Sequence, residues 1–190
     1  KARLAAMVSV VENVRSFDDS ASDRCDALVV GLASFPGWNE SNFQVMDKMF
    51  ETLEIMSARS CFEYRHAASA LDILGEKLSC FKLGKRASST MMAFSEALGP
   101  KTIISRLKEK SISQKAPKVV AGALNWTGST VEEFGVESLD IVSNQFRKSQ
   151  GTLVSCLEDD DVTTRRLSCR VITKMFEYMS NISVATQRLG

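Results

Sequence analysis

Side chains able to carry chemistry are few in this sequence and stand far apart. His66 is the only histidine among 190 residues, so any imidazole-based triad has to be built on it. No GxSxG elbow or cysteine-protease signature accompanies it, and it reads as a histidine without a catalytic role. The five cysteines, Cys25, Cys61, Cys80, Cys156 and Cys169, contain no CxxC spacing. Their odd, scattered count points to reduced thiols of a cytosolic protein, packed as small apolar groups. Four acids run from Glu158 to Asp161. An EF-hand loop needs a central glycine and a distal glutamate, which are missing, so the run reads as the acidic start of a helix, favoured by the macrodipole. No GxGxxG and no GxxxxGKS/T phosphate loop occurs. No catalytic, metal or cofactor set emerges, and the chain reads as a non-enzyme.

Charge has to act locally. Lys and Arg number 24 against 23 Asp and Glu, a net charge of +1, so no global field draws the chain to nucleic acid or a membrane. No apolar run approaches the roughly 18 residues of a membrane helix. Two basic turns stand out. Lys82, Lys85 and Arg86 open "KLGKRASSTMMAFSEALGP", and Lys115 and Lys118 flank a proline in "SQKAPKVVAGALNW". Cations at a helix start oppose the macrodipole, so these residues lack a local stability reason. They read either as solvated helix starts or as a docking edge for an acidic protein surface. Stacking platforms for nucleic acid are missing beside them. Trp38, in "FPGWNESNFQVM", reads as a ring packed over the Pro36-Gly37 turn or as a contact at the same edge, with Asn39 or Ser41 capping the next helix.

The elements that position these residues are helical. Phe43, Met46, Met49, Phe50, Leu53 and Met56 keep one face of a helix, as do Val119, Val120, Ala123, Leu124 and Val131, and then Val171, Ile172, Met175, Phe176 and Met179. The eight methionines fall mostly on such faces and read as core. No period-two strand pattern interrupts them. The spacing predicts nine helices over 3–15, 23–34, 40–58, 62–78, 85–98, 101–112, 117–134, 136–157 and 161–179, with a polar stretch after them that forms a short tenth helix or a frayed tail. Pro36, Pro100 and Pro117 sit at the joints, where each suits a helix first turn. Second helices starting near Glu40, Lys85, Pro117 and Asp161 give an irregular two-helix repeat of the HEAT or armadillo kind, in which stacking aligns the turns within pairs along one rim.

Those turns carry a resemblance. "RLAAM", "PGWNESNFQVM", "LGEKL", "KLGKRASSTMMAFSEALGP", "SQKAPKVVAGALNW" and "VEEFGV", in this order from about Arg3 to Val136, resemble a TOG domain of the TOG-domain microtubule polymerase family. The resemblance implies an all-α, HEAT-like α-solenoid of antiparallel helix pairs forming a flat paddle. It implies one domain over residues 1–190, lacking its first helix and that helix's tryptophan, within a longer multi-domain protein. It also implies that the turns within pairs bind the αβ-tubulin heterodimer, with other cytoskeletal proteins as further partners. The tubulin-facing residues would be Trp38, Asn39, Glu40 and Asn42 in the second turn and Lys82, Lys85 and Arg86 in the third. Lys115 and Lys118 would serve the fourth, and Thr163, Arg165 and Arg166 the fifth, where the family's arginine position holds Thr163. The implied function is a tubulin-binding module that promotes microtubule polymerisation and plus-end dynamics, in the cytoplasm at microtubules, spindle and centrosome. The alternative is a HEAT scaffold that binds other proteins without tubulin.

Overall fold

Glycines, prolines and short capping side chains set the joints where the apolar period breaks. The computed structural model describes residues 1–16, 22–107, 110–111, 116–135 and 155–189. Among these the regular elements are helices: α1 (Ala2–Arg15), α2 (Ser22–Leu32), α3 (Phe43–Ser57), α4 (Tyr64–Lys77), α5 (Gly84–Leu98), α6 (Pro100–Leu107), α7 (Pro117–Phe134) and α8 (Val162–Leu189). They fall in two compact units, Lys1–Gly99 with α1 to α5 and Pro100–Gly190 with α6 to α8. The expected helix over 136–157 lies outside the described residues except for 155–157, which are helical.

Local chemistry explains where the helices begin. After α2 the chain turns through Ala33–Gly37, with Phe35 extended, a cis Phe35–Pro36 peptide and Gly37 at φ 85. The next helix was expected from Glu40 with Asn39 or Ser41 as its cap; it starts at Phe43, and Asn42 caps it by accepting the Gln44 N–H at 3.0 Å. Glu40 is the reason. Its carboxylate takes the Asn42 N–H at 2.8 Å, which holds the segment out of helical geometry. At α4, the Glu63 side chain and the His66 ring form a reciprocal capping box. Gly84 opens α5 where no side chain fits: a Cβ there would stand 2.6 Å from the Leu78 carbonyl oxygen. Gly99, at φ 85, ends α5, and Pro100 and Pro117 occupy helix first turns as expected, whereas Pro36 lies in the turn after α2, well before α3 starts. The last residues, expected as a separate short helix or a frayed tail, instead continue α8 as one helix to Leu189, since no glycine or proline follows Val162 before it.

In the first unit α3 is the spine. Met46, Met49, Phe50, Leu53 and Met56 on its stripe are all at most 1% exposed. They pack against α1, which contributes Met7, Val11 and Val14, and α5, which contributes Ala87, Met91 and Phe94. α4 covers α5 and meets α2. His66 is buried, which its sequence context did not indicate: Nδ1 accepts the Glu63 N–H at 2.9 Å, so the neutral ring donates from Nε2 to Asp26 Oδ1 at 2.8 Å. In the second unit α7 packs on α8 and α6, burying Val120, Leu124, Trp126 and Val131 with Val171 and Met175. Phe176 was expected on that stripe but is 61% exposed. It lies five residues beyond Val171, a rotation of roughly 140° past the buried face at ~100° per residue.

Two phenylalanines of the first unit test this core. Phe50→Ala should cost about 3–5 kcal/mol of stability in urea unfolding. Phe81→Ala, at a fully solvent-exposed ring in the turn before α5, should stay within about 0.5 kcal/mol of wild type.

Candidate partner-binding edge

Along one edge of the first unit the start of α1, the turn before α3 and the turn before α5 come together. Arg3 Nη1 meets Glu40 Oε2 at 2.7 Å, tying α1 to the turn before α3. Lys82 Nζ stands 4.4 Å from the centre of the Phe43 ring, tying the turn before α5 to the first residue of α3. Leu4, Val8, Phe43, Asp47, Lys48 and Lys82 border an open recess there.

The expected contact residues divide by what already holds them. Trp38 is half-buried, and its indole Nε1 is covered without a protein acceptor. Asn39 is exposed. Glu40, expected to face a partner, has a fully covered side chain and serves as the clamp of its own turn. Asn42 is occupied as the α3 cap. Lys82 and Lys85 are exposed. Arg86 turns inward: Nε lies 3.1 Å from Asp47 Oδ1, Nη1 3.1 Å from Glu54 Oε2 and Nη2 4.0 Å from Glu51 Oε2. These three acids stand at i, i+4 and i+7 on α3, one stripe facing the start of α5. Ser89 Oγ donates to Glu54 at 2.8 Å, while Lys48 and Arg15 hold Glu51 at 2.6 and 2.9 Å.

In the second unit, taken by itself, Lys118, Thr163 and Arg166 are exposed and Lys115 lies outside the described residues. Arg165 is bound back onto its own turn, donating to the carbonyls of Asp159 at 2.6 Å and Asp160 at 3.0 Å. The acid run behaves as a helix start. Asp159 accepts the Asp161 N–H at 2.8 Å and Asp161 accepts the Thr164 N–H at 2.7 Å, and that N–H holds the Asp161 carboxyl below its ordinary range.

One residue of the edge escaped sequence reasoning. Phe81 is fully exposed beside Lys82. Its signal was present: an aromatic inside a six-residue turn, off every helical stripe. Phe35, in the neighbouring turn, is also largely exposed. The edge thus offers two cations and, next to Lys82 in the chain, the bare Phe81 ring over an ion-paired base. That suits docking of an acidic protein surface.

No family model matches the chain. It is 27% identical over 183 residues to Protein MOR1 of Arabidopsis thaliana, covering 94% of this chain and 9% of that protein. To centrosomal protein 224 of Dictyostelium discoideum it is 26% identical over 175 residues, covering 90% and 9%. The solved structure of Drosophila melanogaster Mini spindles TOG3 matches with a TM-score of 0.83 at 23% identity, over 93% of this chain and 76% of that one. The chain spans less than a tenth of the length of the curated relatives it matches. The fold is that of a TOG domain, an all-α, HEAT-like solenoid of helix pairs. Fold and sequence likeness together support a TOG domain of the microtubule polymerase family, as the turn motifs implied.

The ion-paired base generates two predictions. Arg86→Met should lower stability by about 2 kcal/mol, because it takes the cation from Asp47 and Glu54, while Lys85→Met should change it by less than about 0.5 kcal/mol; urea midpoints compare them. The second concerns pH. Burial pushes the Glu51 carboxyl up, but the Lys48 ammonium, with Arg86 and Arg15, overrides it and holds the group below its ordinary range. A depressed folded pKa stabilises above the unfolded value, about 4.3, and that gain is lost as pH falls through the folded value. The stability gap between wild type and Glu51→Gln should be widest near neutral pH and close between about pH 5 and pH 3.

Proposed function

We propose that this chain is a tubulin-binding TOG module, acting within a longer microtubule-associated protein that promotes microtubule polymerisation. The αβ-tubulin heterodimer is the partner, and the docking surface in the first unit is the edge bearing Lys82, Lys85 and Phe81. The observation that carries this reading is the division of the basic turn. Arg86 has a structural reason to be basic, in Asp47, Glu51 and Glu54. Lys85 meets no carboxylate among the described residues, and Lys82 meets only an aromatic ring. Two cations kept at a helix start with no internal anion suit an acidic partner. The relatives' names, centrosomal protein 224 and mini spindles, support action at centrosome and spindle, on microtubules of the cytoplasm.

Size-exclusion chromatography with αβ-tubulin under non-polymerising conditions tests the proposal. The wild-type chain should co-elute at low ionic strength and dissociate as salt rises, because exposed charge contacts are screened over about 10 Å at 0.1 M. The double variant Lys82→Glu/Lys85→Glu should fail to co-elute while keeping the wild-type melting temperature, and Phe81→Ala should weaken binding several-fold. Wild-type binding by the charge-reversed variant would remove the edge from the interface. Failure of the wild type at low salt would favour a scaffold for other proteins, a reading that the inward commitment of Glu40, Arg86 and Arg165 also supports.

A further inference from the structure

We propose that Cys25 and Cys61 are a modification site, a thiol pair that hydroperoxides convert to a reversible disulfide fastening α2 to the turn between α3 and α4. The two sulfurs lie 2.9 Å apart although 36 residues separate them in sequence. Both are thiols in this structure. Their approach is enforced from both sides by one imidazole. His66 Nε2 binds Asp26, the residue next to Cys25, and His66 Nδ1 accepts the N–H of Glu63, two residues beyond Cys61. Arg59, two residues before Cys61, anchors the same turn by donating to the carbonyls of Val14 at 3.3 Å and Arg15 at 3.1 Å. A disulfide needs its two Cβ atoms within about 4.5 Å, a separation that a 2.9 Å sulfur contact brings within reach of side-chain rotation.

The two thiols have unequal roles. Cys25 is buried, 3% exposed, whereas Cys61 is half-buried and open to a small oxidant. Burial, with the Cys61 sulfur beside it, pushes the Cys25 thiol up to about 12, so Cys25 keeps its proton. Cys61 therefore reacts first. Its thiolate attacks one peroxide oxygen, the O–O bond breaks, and a sulfenic acid forms on Cys61 while the other oxygen leaves as water or an alcohol. The Cys25 sulfur then attacks the Cys61 sulfur, the S–O bond breaks, and the hydroxyl leaves as water with the Cys25 proton. The two thiols lose two electrons and the peroxide gains two. A dithiol reverses the step through a mixed disulfide. The closed loop runs through α2, the turn bearing Trp38 and Glu40, and α3, so the crosslink restrains the segment that supports the docking edge.

Hydrogen peroxide is the probe. The native chain would be treated, alkylated, and cleaved by trypsin after Arg24, Lys48, Arg59 and Arg65. The expected product is a crosslink between peptides 25–48 and 60–65, with an intact mass lower by two hydrogens and full reversal by dithiothreitol. The melting temperature should rise by about 5 °C or more on oxidation and return on reduction. Cys61→Ser should abolish both the crosslink and the peroxide-dependent shift while melting close to the reduced wild type, and Cys25→Ala should leave Cys61 to accumulate as a dimedone-reactive sulfenic acid. Oxidation of Cys61 to sulfinic acid with Cys25 still alkylatable, or peroxide reacting at Cys169 alone, would overturn the proposal.

Discussion

Arg86 sits where α5 begins and spans two turns of α3, and the shape of the first unit's edge depends on it. Asp47, Glu51 and Glu54 form a carboxylate stripe that repels itself without a cation. The guanidinium fork meets the outer two at 3.1 Å each. Burial disfavours its charge, but Asp47 and Glu54 more than compensate and hold the group firmly protonated. Because that stripe is satisfied from the start of α5, the turn that precedes α5 is fixed in register against α3. Lys82 then comes to rest over Phe43, and Lys85, one position before Arg86, is left facing solvent.

A second clamp works on the neighbouring turn by the same logic. Glu40 is an acid at the head of a helix, where the macrodipole favours it, yet its carboxylate serves Asn42 and Arg3 instead of a partner. The turn before α3 thus directs its one charged residue, Glu40, inward, and the turn before α5 leads into Arg86, also directed inward, while Lys82 and Lys85 stay outward. Beneath them the buried face of α3 supplies the apolar contact that keeps α1 and α5 in place. Ion pairs and apolar contacts thus both hold the edge in place; a preformed surface carries a lower ordering cost on docking.

Much of the helical frame was legible in the sequence, because a 3.6-residue apolar period needs only local information. The stripe from Met46 to Met56 and the proline starts at Pro100 and Pro117 follow from neighbours a few residues apart. What escaped was long-range pairing. Arg86 reads as part of a basic turn until Asp47, 39 residues away, is brought to it, and Glu40 reads as an exposed acid until Arg3 arrives from 37 residues upstream. The start of α3 shifted for a local reason, since a side chain that occupies a backbone N–H two residues on overrules propensity. Phe176 shows the opposite limit: a run of apolar residues is wider than the face that a single neighbour covers.

The central claim is that the basic turn is split, with Arg86 holding the platform and Lys82 and Lys85 meeting the acidic partner. Zero-length carboxyl-to-amine crosslinking of the chain with αβ-tubulin, read by mass spectrometry, tests it most directly. The account predicts that Lys82 and Lys85 carry links to tubulin carboxylates, and that Lys48, paired with Glu51, does not. Links gathered on lysines elsewhere, with Lys82 and Lys85 unmodified in a stable complex, would contradict it.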